Sequence, residues 1–226
     1  FCKEFKKKDI TITYVYSTEK AFYNKQQAFL LKSHFNVLNK NNQITNQYSF
    51  NSLGELENKK TFTYNKAGKL QETNEYDFAD ALIKKERLSY NDATKTQTQT
   101  ISDEHGRVVK KIITDFRDNN TLRKKEEIIY DDVESIQSKV ETYYDKNGNK
   151  NSQLFYASQS LEPIYEYHYQ TKIDKKANWI YERRIKMINF YGKNIRDKNE
   201  SPQFTTRKIS YTPNKKTGSV KNEAGL

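Results

Sequence analysis

Histidines and paired carboxylates are weighed first, because a chain that catalyses by proton transfer or holds a metal must bring a few such groups together. His34, His105 and His168 fall in separate stretches, with no acidic or cysteine partners at the spacing of a zinc ligand set. His105 stands in a Glu-His-Gly run and reads as a solvated turn residue. Asp145, Asn147, Asn149 and Asn151 alternate as calcium ligands do, yet Gly148 is misplaced for an EF-hand loop and no Glu closes it, so a tight turn is expected. The pairs Glu126-Glu127 and Asp131-Asp132 sit among lysines in a recurring lattice, whereas a catalytic pair needs a singular environment to separate two pKa values. A glycine-rich phosphate loop and a nucleophile elbow are both missing from the sequence. The expectation is a protein that is not an enzyme and that uses no cofactor and no metal.

Binding chemistry is better represented. Tyr165, Tyr167 and Tyr169 alternate, and Trp179 and Arg183 follow shortly after. Aromatic rings beside a guanidinium are the residues that anchor interfaces, which makes these five the candidate binding patch. Net charge is +11, and residues 170–226 hold fourteen Lys or Arg against five Asp or Glu. That basic end is either a solubilising, edge-protecting face or a patch for an anionic partner such as lipid head groups, a polyanionic glycan or nucleic acid. The lone Cys2 excludes a disulfide within the chain. Followed by the hydrophilic stretch Lys3 to Lys8, it is either a lipid-bearing cysteine or an incidental thiol, and Phe1 is a poor residue before a lipidated one.

The elements that must position these residues are strands. Phe50, Tyr64, Tyr76, Tyr90, Phe116, Tyr130, Tyr144 and Tyr156 recur at gaps of 14, 12, 14, 26, 14, 14 and 12 residues, and at most of them Asn or Asp follows. A beat this regular marks one short supersecondary unit copied many times. Gly54, Gly68, Gly106 and Gly148 fall at one fixed place in the unit, where the backbone needs the positive φ of a hairpin turn. An apolar residue then opens each following strand: Leu56, Leu70, Leu82, Val108, Leu122 and Ile136. Even spacing, as in Leu82, Lys84, Glu86, Leu88 and Tyr90, predicts that leading residue and closing ring share one strand face.

Short turns make successive strands antiparallel neighbours. The expected fold is therefore all-β, an antiparallel β-meander of about ten to thirteen strands in one long twisted or curled sheet. Hydrophobic residues are only 34% of the chain, which suits a thin sheet better than a thick core. Mid-strand Lys and Glu on both faces imply cohesion from cross-strand charge pairs, with the larger share from apolar and aromatic rows. No run of eighteen apolar residues exists, and Lys84, Lys85, Glu86 and Arg87 charge both faces of one strand, against a barrel in lipid.

Tyr144-Asp145-Lys146-Asn147-Gly148, Tyr64-Asn65-Lys66-Ala67-Gly68-Lys69-Leu70 and Asp103-Glu104-His105-Gly106-Arg107-Val108 resemble the YD repeat of RHS proteins. The ending, Lys176-Ala177-Asn178-Trp179-Ile180 with Arg183 and Arg184 and then Arg207-Lys208-Ile209-Ser210-Tyr211, is similar to the close of uncharacterised secreted or lipid-anchored repeat proteins of Bacteroidetes. The likeness covers about residues 43–211. It implies a β-meander and an extracytoplasmic location: secreted, periplasmic or lipid-anchored. RHS shells enclose a toxin, but this chain is too short to do so, and that role is not carried over.

The organisation expected is one domain in four stretches. Residues 1–42 hold a first strand over 9–16 and, over 17–33, either a short helix or a second hairpin. Residues 43–169 are the repeat array, 170–212 are basic capping strands ending in a strand over 205–211, and 213–226 are a polar tail. The leading functional expectation is a binding or structural module of the bacterial cell envelope. Its partner would be a protein, an envelope glycan or an anionic surface. An immunity or adaptor protein for a cognate toxin is the alternative, and nucleic-acid binding through the basic end is the weaker third.

Overall fold

The computed structural model describes residues 2–7, 10–16, 30–176, 178–207 and 209. Sixteen strands follow one another: β1 (Cys2–Lys7), β2 (Ile10–Tyr16), β3 (Leu30–Leu38), β4 (Ile44–Phe50), β5 (Leu56–Tyr64), β6 (Leu70–Asp77), β7 (Leu82–Asn91), β8 (Thr96–Asp103), β9 (Val108–Phe116), β10 (Leu122–Tyr130), β11 (Ile136–Tyr144), β12 (Lys150–Ala157), β13 (Tyr165–Ile173), β14 (Trp179–Phe190), β15 (Lys193–Arg196) and β16 (Gln203–Thr206). The first fifteen pair in chain order as one antiparallel meander that does not close, and β16 pairs with β14. β15 takes the C-terminal part of β14 (Met187 to Phe190) and β16 takes the stretch Tyr181 to Arg184, so one edge is shared between two short strands.

The strand count exceeds the expected ten to thirteen. The stretch after Cys2, read as merely hydrophilic, is the strand β1. Leu30 to Ser33 belong to β3, while residues 17–29, over which the helix and second-hairpin readings divide, lie outside the described residues. The Tyr-rich strand is Tyr165–Ile173, and the last strand is Gln203–Thr206 rather than 205–211. Tyr211 and the polar tail lie outside the described residues.

Most turns repeat one chemistry. In the turn after β4, the Asn51 side chain accepts the backbone amides of Leu53 and Glu55 at 2.9 and 3.0 Å, while Gly54 N donates to Asn51 O at 3.1 Å. Asn65, Asp77, Asp103, Asp131 and Asp145 accept in the same way two and four residues on. The position before the next strand needs a left-handed backbone, which Gly54 and Gly148 take at φ +84° and +82°. Where glycine is missing, Asn42, Asp80, Asn120 and Glu134 carry it at φ 59–63°. The Asx acceptor is thus the more constant half of the signal.

Every expected leading residue does open its strand. The face it occupies differs from the expectation. Tyr76 pairs with Leu82 and Glu75 with Lys84, leaving Ile83 without an opposite number. Phe50/Leu56, Tyr64/Leu70, Phe116/Leu122, Tyr130/Ile136 and Tyr144/Lys150 show the same one-residue shift. Such a bulge moves the leading residue to the other side of its strand and adds right-handed twist. Leading residue and closing ring of one strand therefore fall on opposite faces, and each ring instead meets the leading residue of the following strand. Following the register, the rings before the turns after odd-numbered strands (Tyr64, Tyr90, Phe116, Tyr144) share one face. Those before the turns after even-numbered strands (Phe50, Tyr76, Tyr130, Tyr156) share the other. We call the face with Tyr76 and Tyr130 face one and its opposite face two, and the two rows of turns the odd and even rims.

Among the described residues the sheet is one layer, and every substantial strand-to-strand packing is between hydrogen-bonded neighbours. Among the described residues, the buried hydrophobic side chains are Ile128 and Tyr169, each still 8% exposed, whereas Thr11, Asn36, Ser49, Thr73 and Thr142 are buried polar positions. In a single layer the shelter comes from long neighbours leaning over short ones. Thr142, 3% exposed, lies between its register partners Lys125 and Gln153, and Gln153 donates to its hydroxyl at 3.0 Å.

Candidate functional site

The tyrosines of β13 are placed by strand alternation and by pairing with β12 and β14. Tyr165, Tyr167 and Tyr169 all project from face two. Phe155, the register partner of Tyr165, stacks on its ring with centroids 4.7 Å apart. Tyr167 meets both rings edge-on at 5.7 Å. Tyr169 is buried, and its hydroxyl donates to Gln153 Oε1. Burial holds the Tyr169 hydroxyl above its ordinary pKa, and burial together with the Glu200 carboxylate does the same for Tyr167.

Two cations from β14 complete the cluster. The Arg184 guanidinium lies 4.2 Å from the Tyr167 ring centre, and Lys186 Nζ lies 5.1 Å from that of Tyr165. Both are matched by acids from the turn after β15. Lys186 pairs with Asp197 at 3.3 Å and Glu200 at 3.4 Å, and Tyr167 donates its hydroxyl to Glu200 at 3.1 Å. Arg184 also donates to Gln203 Oε1 at 2.6 Å. The surface offers half-buried rings and hydroxyls on a frame whose charges are internally balanced, which suits stacking and hydrogen bonding more than attraction of a polyanion.

Of the five expected patch residues, the structure brings the three tyrosines together. Trp179 pairs with Ile173 at the opposite end of β14 from the Tyr165 level, with Arg207 5.4 Å from its ring. Arg183 pairs with Gln170 and lies on face one, 5.9 Å from the Phe204 ring. The arginine that joins the tyrosines is Arg184, one residue on. Phe155, Lys186 and Glu200 went unnoticed in the sequence. The first two carry an alternation signal, whereas Glu200 comes from a turn with no periodic cue.

Face one carries a different cluster. Glu141, 7% exposed, meets Lys124 at 3.0 Å and Lys139 at 3.2 Å, and accepts hydroxyls from Tyr143 at 2.8 Å and Tyr156 at 3.3 Å. Burial pushes this carboxyl up, but the bonds from Lys124, Tyr143 and Lys139 outweigh it and hold the group at about 2. The Lys124 ammonium is raised in return, its burial overcome by Glu141 and Glu126. Burial beside the Glu141 charge pushes Tyr156 up to about 12. Further along the same face, Glu166 is buried, with a His168 ring nitrogen at 2.7 Å and Asn194 Nδ2 at 2.8 Å, beside a hollow of about 220 Å³.

His34 bonds Ser49 Oγ at 3.0 Å, its pKa lowered by burial and by Lys32. His105 lies in its turn beside Glu104. Among the described residues, no three His, Cys, Asp or Glu are grouped to hold a metal ion, and no helix is long and apolar enough to cross a membrane. Cys2 opens β1, and its side chain lies outside the described residues.

No family model and no curated protein match the chain. Among solved structures it is similar to a porin-like protein from Bacteroides uniformis, with 12% identity, a TM-score of 0.38 and coverage of 91% of this chain and 95% of that one. A protein of unknown function from Bacteroides fragilis matches at 14% identity and a TM-score of 0.31, over 54% of this chain and 86% of its own. A TcdB2-TccC3 structure matches at 14% identity and a TM-score of 0.38, over 79% of this chain and 8% of its own. At these scores the likenesses carry no functional argument.

Proposed function

We propose that the protein is a non-enzymatic binding or structural module of the bacterial cell envelope, working outside the cytoplasm, with face two around Tyr165 and Tyr167 as its contact surface. The observation that carries this reading is the Phe155, Tyr165, Tyr167 cluster on a face over which no second layer lies among the described residues. Because Asp197 and Glu200 already match the neighbouring cations, the favoured partner is a hydroxyl-rich envelope glycan, held by ring stacking. Cys2 is the proposed point of lipid attachment, to be tested by an acyl mass on the peptide that carries it.

The test is pelleting of purified protein with insoluble envelope polysaccharide. Retention should survive high salt, because stacking is not screened, and fall about tenfold in Tyr165→Ala/Tyr167→Ala. Equal retention of the variant removes this face as the contact. Retention that vanishes with salt replaces stacking with charge.

A further inference from the structure

The two rims of the ribbon are chemically unlike. Counting along the meander, the described turns of the even rim are residues 51–55, 77–81, 103–107, 131–135, 157–164 and 190–193. Among the described residues, every large apolar side chain more than 70% exposed is in these turns: Leu53, Phe78, Val133, Leu161 and Tyr191, at 74–95%. The corresponding tips of the odd rim are Asn41, Ala67, Ala93, Asn119, Asn147 and Lys176. Turns of one rim are two strands apart, so the apolar tips form a row with a repeat of about 9.6 Å. His105 interrupts the row at its third turn.

Charge divides the same way. Even-rim turns carry Glu55, Asp80, Glu104, Asp132, Glu134 and Glu162 among their acids, with Arg107 and Lys193 as their cations. Odd-rim turns hold twice as many cations as carboxylates, Lys40, Lys66, Lys95 and Lys175 among them. A row of apolar tips set among carboxylates is repelled by an anionic bilayer and attracted to a basic surface that offers apolar recesses. The odd rim has such a recess. A cleft of about 300 Å³ opens there between the turns after β5, β7 and β9, lined by Tyr90 and Phe116 of face two together with Lys69, Asp92, Lys95 and Asn120, with Lys69 paired to Asp92 at 3.0 Å. Lys69 lies 5.1 Å from the Tyr90 ring centre, and Lys95 stands at the left-handed position of its turn.

We propose that the even rim of one molecule docks on the odd rim of a second copy, with an apolar tip such as Phe78 entering the Tyr90 and Phe116 cleft and neighbouring carboxylates facing Lys95. The contact joins two different surfaces, so it does not close on itself and leaves a free rim at each end. The outcome is a head-to-tail chain of copies, rim on rim, independent of any ligand on face two.

Sedimentation velocity across about a hundredfold range of concentration tests this, because a mass-action assembly must grow with concentration. Wild-type protein should sediment faster as concentration rises, and less so at high salt. Leu53→Ser/Phe78→Ser/Val133→Ser alters exposed tips and spoils the even rim. Lys95→Glu/Asn120→Asp alters turn positions whose backbone an acid tolerates, as Glu134 and Asp80 show, and spoils the odd rim. Each variant alone should stay monomeric with an unchanged melting temperature, and mixing the two should give a one-to-one dimer that grows no further.

A wild type that stays monomeric throughout overturns the proposal. So does either variant that still assembles, or a mixture that remains monomeric. Tip-dependent binding of monomers to phosphatidylcholine vesicles would assign the even rim to a membrane instead.

Discussion

Around Glu72 and Glu141, cross-strand cohesion is ion on ion; around Tyr165, it is ring on ring. Glu72 gathers Lys85 at 3.0 Å, Arg87 at 3.1 Å and the Asn74 amide at 3.0 Å, and despite some burial its carboxyl is held at about 2. Glu141 gathers two lysines and two tyrosine hydroxyls in the same way. Between β12 and β14, by contrast, three rings touch one another and the cations lie over their faces. A single layer has no shared interior, so each region must build its own cohesion from whatever its strands present. The middle of the ribbon should therefore answer to pH and salt, and its C-terminal part to loss of apolar area.

Acid should separate the two regions most. Glu72 and Glu141 have folded pKa values depressed from 4.5 to about 2, so their stabilisation is fully present above about 4.5 and is lost as pH falls toward 2. Urea midpoints should drop over that window by an amount equivalent to about 3 kcal/mol, after discounting for the partial exposure of Glu72. Hydrogen exchange should place the loss in β6, β7, β10 and β11 before β13 and β14. A uniform loss would erase the distinction.

Glu141→Ala comes next, at about 2 kcal/mol, because it strands Lys124 and Lys139 beside each other without their shared anion. The variant should also flatten the acid profile. Tyr167→Ala should cost about 1 to 1.5 kcal/mol through two ring contacts and the Arg184 stack, and the cost should be the same in low and high salt. Arg87→Ala is the small control. Its side chain is 69% exposed, so only a few tenths of a kcal/mol should be lost, vanishing in salt. A large, salt-independent loss there would show that the stem packs rather than pairs.

Much of the fold was legible because turn chemistry is local. Asn51, Asn65, Asp77, Asp103, Asp131 and Asp145 bond their own backbones, so their meaning does not depend on any distant partner. The bulges were not legible. An unpaired Ile83 or Arg123 leaves the even spacing of polar and apolar residues intact, and only pairing with the previous strand reveals the shift. For the same reason the sequence does not distinguish Arg183 from Arg184. The choice between adjacent arginines is a choice of face, and register with β13 decides it. The rim asymmetry was written in the sequence at Leu53, Phe78 and Val133. It appears only once alternate turns are sorted to opposite sides.

That alternation limits how such a chain can lengthen or shorten. The residues that begin successive even-rim turns, Asn51, Asp77, Asp103, Asp131 and Ala157, are spaced by 26 to 28 residues, which is two strands. Copying or deleting one strand with its turn would exchange the rims for everything downstream, mixing acidic tips with basic ones and turning every later ring to the wrong side. The heritable module is consequently a two-strand block, and viable length variants should differ by whole multiples of it.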